Sequence, residues 1–264
     1  MSCPSATLLI WTTAWWHGVA AADDVLDATQ CWAEANRVAA QDPGTATALE
    51  LPTSTEPPAP LAALLGALRK EGVTGGTIAL PVPGDVRGLG GKGPLCDAAV
   101  QAGEAVVFGD AGIGLVPHRI DGTELRWTVF DAPKGLAAEH IPIAEAEHEL
   151  AGAMRAAATA LVELDVARHR PNVRAEIDEL LQAEPRLPWP PGMPSRALRV
   201  LQRATEVAAI LQVATGDAPG GALSASATNA RASALAPLTH AVRFARTAAI
   251  NDAVRMFGEH AGKR

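Results

Sequence analysis

The period of the apolar residues changes near residue 135, which restricts the chain to architectures where strands come first and helices follow. Residues 105–108 are apolar and strand-like, and Gly109-Asp110-Ala111-Gly112 turns the chain back. Residues 113–120 then lead into Asp121-Gly122, a type I′ hairpin signal that residues 123–130 complete. With Asp121 and Gly122 as a two-residue tip, Ile120 faces Thr123, Arg119 faces Glu124, His118 faces Leu125 and Val116 faces Trp127. An Arg119–Glu124 ion pair is therefore expected to support that register. Pro117 predicts a free edge or a bulge in its strand. After Asp131-Ala132-Pro133-Lys134-Gly135 the strand signals stop.

The rest of the chain is helical in pattern. Leu150, Met154, Ala157, Leu161 and Leu164 recur at spacings of four and three along one stripe, in a helix that ends before Pro171. A shorter helix is predicted over 173–182, then a stiff linker through Pro185, Pro188, Pro190, Pro191 and Pro194, with Trp189 packed on the body of the domain. Ser195 caps a helix to about Thr215 whose apolar residues (Leu198, Val200, Leu201, Val207, Ile210, Leu211) nearly encircle it, so it is placed centrally in a bundle. Ala-rich helix then runs to about Phe257, broken or kinked at Pro237, with Leu235, Leu238, Val242, Ala245 and Ala249 facing inward.

Upstream of the hairpin, residues 6–13 are nearly continuous in hydrophobicity and rich in strand-favouring residues (Thr7, Ile10, Trp11, Thr12 and Thr13), as in a strand covered on both faces. Asp23 and Asp24 open a helix predicted to reach residue 39, where acids in the first turn suit the free N–H groups and the dipole. Residues 42–60 read as an irregular Pro-rich connection. Pro60 starts a helix with Leu61, Leu64, Leu65 and Leu68 on one face and Gly72 beyond its end. A strand from Thr77 follows, so residues 6–82 suggest a βαβ crossover, right-handed if its strands are parallel. Pro94 begins the next helix and Gly103 ends it.

Apolar residues make up 48% of the 264 and charged ones only 19%, so the chain can bury a sizeable core. Net charge is −7, which argues against a nonspecific nucleic-acid binder. Alanine abundance, with lysine confined to Lys70, Lys92, Lys134 and Lys263, points to a GC-rich bacterial coding sequence. Cys3, Cys31 and Cys96 are odd in number and widely spaced, matching neither a metal motif nor a disulfide framework, so a cytoplasmic location is expected. The first basic residue is Arg37, which counts against a cleaved leader at the apolar start, and no apolar run is long enough to span a bilayer.

Chemistry is sparsely signalled. Residues 77–94 form strand, Gly-rich loop and helix start, where backbone N–H groups with Arg87 and Lys92 can face a phosphate or carboxylate. The loop matches neither nucleotide fingerprint, and mutual pairing of Asp85 with Arg87 is the plainer reading. Glu145, His148 and Glu149 share a helical face, but a di-iron site needs a second Glu-x-x-His that the chain lacks. His240, Arg243 and Arg246 repeat at threes on the last helix and are set either for an acidic ligand or for pairing with Glu163, Asp165 and their neighbours. His17 beside Trp15 and Trp16 can stack on a ligand or pack between strand and helix. Cys31 and Cys96 are expected buried and inert. No nucleophile elbow or zinc-protease motif is present.

The sequence thus predicts an α+β protein, with a mixed α/β sheet region over 1–135 and a helical region over 136–264, packed separately or as one unit. Its function is read as cytoplasmic, non-catalytic binding or protein interaction, with self-association through an apolar helical or sheet-edge surface. The alternative is a small anionic-ligand site, enzymatic or not, built from Asp85, Arg87, Lys92 and His17 with Arg243 and Arg246. No cofactor or metal is predicted, nor a nucleic-acid or membrane partner.

Overall fold

The computed structural model describes residues 3–136, 140–163, 172–183, 189–216 and 225–261. Helix α1 (Pro4–Trp16) occupies the stretch read from sequence as a central strand. Ser5 through Ala14 are all buried, so uniform apolarity here marks a helix covered on every side rather than a doubly covered strand. Its buried threonines bond back to the helix carbonyls: Thr12 Oγ1 donates to Leu8 O at 2.7 Å and Thr13 Oγ1 to Leu9 O at 2.7 Å. Cys3 supplies no side-chain cap, and the Ser5 N–H donates instead to Glu104 Oε2 at 2.7 Å, a carboxylate brought from 99 residues away.

Helix α2 (Ala22–Gln30) begins as expected, with Asp24 Oδ2 accepting from the Ala21 N–H at 2.7 Å. It stops well short of residue 39. Strand β1 (Ala35–Ala40) replaces its predicted second half, because pairing inside a sheet outweighs the modest helix preference of Ala-rich sequence. Asn36 fixes the change of direction: its Nδ2 donates to Thr29 O and Ala33 O, and its Oδ1 accepts from the indole N–H of Trp127 at 3.1 Å. The Pro-rich connection also contains regular structure, namely α3 (Pro43–Leu49), capped by Asp42 Oδ1 on the Gly44 and Thr45 N–H groups, and the short β2 (Ala59–Pro60). Helix α4 (Leu61–Lys70) buries Leu61, Leu64, Leu65 and Leu68, as its periodicity predicts.

Strand β3 (Thr77–Ala79), helix α5 (Pro94–Ala102), strands β4 (Ala105–Phe108), β5 (Ile113–Arg119) and β6 (Glu124–Asp131) complete a mixed six-stranded sheet in the order β2-β1-β6-β5-β4-β3. The crossover suggested for residues 6–82 is absent, since its first strand is α1 and β3 pairs antiparallel with β4; the parallel pair is β1 with β6. The hairpin register differs by one residue from the expected pairing, with Arg119 opposite Leu125, His118 opposite Arg126 and Pro117 opposite Trp127. Asp121 is the cause: its Oδ1 accepts from the N–H groups of Thr123 and Glu124 and enlarges the loop, so that Ile120 N–H bonds Glu124 O. Glu124 then pairs with Arg126 at 2.6 Å rather than with Arg119. Pro117 lies beyond the last β4–β5 pair, Val106–Leu115, so its strand does have a free edge there.

Helix α5 covers one face of this sheet, where Leu95, Cys96 and Ala99 pack with Val107, Val116 and Phe130. The opposite face carries Phe108, against which Trp16 of α1 packs edge-on at 5.7 Å, and the fully buried Trp127.

Four helices follow: α6 (Ile143–Glu163), α7 (Val173–Ala183), α8 (Ser195–Gly216) and α9 (Ala225–Ala261). Helix α9 runs through Pro237 without the predicted break and buries Leu235, Leu238, Val242, Ala245 and Ala249 as expected. Helix α8 is amphipathic rather than encircled, burying Ala197, Val200, Ala204, Val207 and Leu211 while Ile210 is 45% exposed. Trp189 is half-buried; Leu164, Pro171, Pro185 and Pro188 lie outside the described residues. The fold is α+β, a mixed sheet with helices followed by a helical region.

The described residues fall into two compact units, a sheet unit drawn from Ser2–His140, Arg186–Pro194 and Ile250–Arg264, and a helical unit drawn from Ile141–Pro185 and Ser195–Ala249. Within the sheet unit both outermost strands carry a feature that hinders strand addition. Asn251 Oδ1 accepts the outward N–H of Ile78 on β3 at 2.9 Å, and at the other edge β2 contains Pro60. Within the helical unit α6 and α8 run parallel, as Arg196 bonds Glu147 at 2.9 Å and Arg203 contacts the Met154 sulfur at 3.9 Å, both at a sequence offset of 49.

Candidate functional site

In the Gly-rich loop Pro83-Gly84 makes a tight turn closed by reciprocal bonds between Val82 and Asp85, with Gly84 at φ 89°. Leu89 is buried against Ala79 and Leu95, and Gly90 passes so close to Pro133 that a Cβ there would sit 2.6 Å from its ring. Arg87 grips Asp85 with Nε and Nη2, each at 2.9 Å. This is the mutual pairing read from the sequence, and it draws one cationic fork of the loop toward a carboxylate; Lys92 stays exposed.

His17 ends α1, and its Nε2 lies 3.0 Å from Thr74 O. Beside it Trp15 holds the Arg69 guanidinium 5.7 Å above its ring. Arg243 and Arg246 are partly buried on α9 in the helical unit, whereas the loop belongs to the sheet unit. In the helical unit His240 Nδ1 also lies 3.5 Å from Glu149 and stacks on Phe244, so Glu149 faces an imidazole on another helix. Asp165 is outside the described residues. Among the described residues no group of three His, Cys, Asp or Glu side chains is placed to hold a metal ion. Cys96 is buried as expected, but Cys31 is exposed at the end of α2, its thiol donating to Ala28 O at 2.9 Å.

The structure brings together residues that sequence reasoning did not group. Register places Arg37 of β1 beside Arg126 of β6, and Arg126 beside His118 of β5. Side chains aligned this way point to one face, the face that α5 covers further along at Val116 and Phe130. Arg37 is exposed, and neither it nor His118 has a side-chain hydrogen bond or ion pair among the described residues. Arg126 uses Nε and Nη2 on Glu124 Oε1. Partial burial pushes the His118 imidazole below its ordinary range. Arg37 also borders a shallow pocket of about 250 Å³ between α2, β1 and α4, lined by Leu26, Thr29, Asn36 and Leu61 among others.

The class these features define is a mixed-sheet unit joined to a helical one, with no helix among the described residues long and apolar enough to cross a membrane. The chain belongs to the Rv1486c-like family: residues 5–141 match the N-terminal domain of the Rv1486c-like protein and residues 144–247 its C-terminal domain. It is 37% identical to the uncharacterized proteins MT1533 and Rv1486c of two Mycobacterium tuberculosis strains, over 95% of this chain and 96% of each relative. With the uncharacterized protein ML1804 of Mycobacterium leprae it shares 35% identity, over 95% of this chain and 97% of the relative. No solved structure matches.

Proposed function

We propose that this chain is a non-catalytic cytoplasmic binding protein that associates with a second copy of itself through its helical unit. One observation carries the reading. Continued two turns further, the offset of 49 that pairs Glu147 with Arg196 and Met154 with Arg203 would set Leu161 of α6 level with Ile210 of α8. Near this level large aliphatic side chains stand in solvent, with Val162 71% exposed and Ile210 45% exposed. An aliphatic patch is self-complementary around a twofold axis and meets no like charge there. The Asn251 bond on β3 and Pro60 in β2 favour this helical surface over strand addition at the outermost strands as the route to self-association. The exposed Cys31 is a free thiol, as a reducing compartment allows.

Light scattering on a sizing column tests the reading. Wild type is expected to run at twice the chain mass and the Val162→Glu, Ile210→Glu double variant at the chain mass. A wild type that is monomeric at high concentration sinks the proposal.

A second reading keeps the loop over 83–94 as an anion site, favoured by the exposure of Lys92 and by the positive φ of Gly88, Gly90, Gly91 and Gly93. Arg243 and Arg246 remain a separate basic pair on α9 for the same class of ligand. Phosphate protection lost in Lys92→Ala would support the loop.

A further inference from the structure

We propose that the end of the sheet face beyond α5, at Arg37, Arg126 and His118, is a binding site for a diphosphate group. Strand geometry sets the spacing. Neighbouring strands lie about 4.8 Å apart, and residues in register project to one side, so Arg37 and Arg126 start from adjacent positions from which two guanidinium forks can reach one ligand. Two such forks suit two linked phosphoryl groups, because each fork offers parallel N–H donors to a pair of oxygens. His118 stands next in the row and adds a ring nitrogen.

The electrostatic state of the row fits a ligand rather than an internal network. Of the three N–H-bearing side chains only Arg126 is bonded to a carboxylate, with Nε and Nη2 on Glu124. The other nitrogen of that fork, Arg37 and the His118 ring make no bond to a described residue. His118 is partly desolvated without a carboxylate beside it, which marks a place where an arriving oxygen acceptor would be in contact with the imidazole. Further along the same face the sheet carries Val116 and Phe130 under α5, so the charged row begins where the roof ends. Glu124 is then the competitor that an anion must displace from Arg126. Substitutions at neighbouring residues of the row should therefore act with opposite signs.

Titration calorimetry with inorganic pyrophosphate, at fixed ionic strength and beside inorganic phosphate, tests the site on the full chain. Wild type is expected to bind pyrophosphate more tightly than phosphate. Arg37→Ala and Arg126→Ala should each weaken it about tenfold, the loss expected of a charge-assisted hydrogen bond. Glu124→Gln should strengthen it, and Lys92→Ala, on the separate loop, should leave it unchanged. Circular dichroism on each variant confirms folding, and Arg37, being exposed, gives the cleanest comparison. No heat with pyrophosphate at millimolar concentration overturns the proposal. So does binding that survives Arg37→Ala and Arg126→Ala but is lost in Lys92→Ala, which would assign the anion to the loop.

Discussion

The sheet unit and the helical unit handle apolar surface in opposite ways. In the sheet unit α1 is buried around its circumference, and its first-turn N–H finds a carboxylate from residue 104. In the helical unit α7 has no buried residue at all, and Val162 and Ile210 stand in solvent. The same Ala-rich composition therefore serves two ends. Where helices pack on a sheet, small side chains allow close approach from every side and the core closes on itself. In the helical unit α8 and α9 each bury one stripe, and Val162 and Ile210 are left as surface.

The largest test of that contrast is a pair of truncations. Trp127 is fully buried and its indole N–H is bonded to Asn36, so Trp127→Ala should cost about 3–5 kcal/mol in denaturant unfolding. Ile210→Ala should stay within about 0.5 kcal/mol when measured on dilute protein. Equal losses from the two would mean that the helical surface contributes as much to stability as the sheet core, and the contrast would fail.

A smaller effect concerns the sheet edge. Asn251→Ala removes the acceptor for the Ile78 N–H and should cost about 1–3 kcal/mol, the usual penalty for orphaning a buried group. It should also raise light scattering on storage, since the edge of β3 is then open for pairing. Asn251→Asp keeps an acceptor oxygen and should restore most of the stability. Aggregation equal to wild type in Asn251→Ala would show that the edge is protected by other means.

Much of this fold was legible from local signals. The Leu stripe of α4, the Pro94 start and Gly103 end of α5, the β4–β6 meander and the four later helices all carry their own periodicity or punctuation. Three features were not. Residues 6–13 have no period, and a strand buried on two faces and a helix buried all round look alike in such a run. Residues 35–40 have the alanines of a helix, and only pairing with β6 makes them a strand. Asp121 caps two N–H groups, which lengthens the hairpin loop and moves the register by one. The last two together hid the charged row: with β1 read as helix, Arg37 was not on the sheet, and with the expected register His118 faced Leu125. Pairing of Asp85 with Arg87, by contrast, lies within three residues and could be read directly.

The smallest effect concerns His118, and its sign follows from burial. Desolvation holds the folded-state imidazole below its ordinary value of 6.5, so the unfolded chain takes up a proton first as the pH falls. His118 is therefore neutral without penalty above that value and lowers stability progressively as the pH drops through it toward the depressed folded value. His118→Gln removes the proton uptake. The difference in melting temperature between wild type and His118→Gln should then shift against wild type between pH 7.5 and about pH 5.5, a window that brackets the ordinary imidazole value. Saturating pyrophosphate should shrink or reverse that loss, because an anion beside the row favours the imidazolium and raises the folded pKa. A wild type that instead gains on the variant as the pH falls, with no anion present, would show that a carboxylate already faces His118. That end of the sheet face would then be an internal ion-pair network rather than a ligand site.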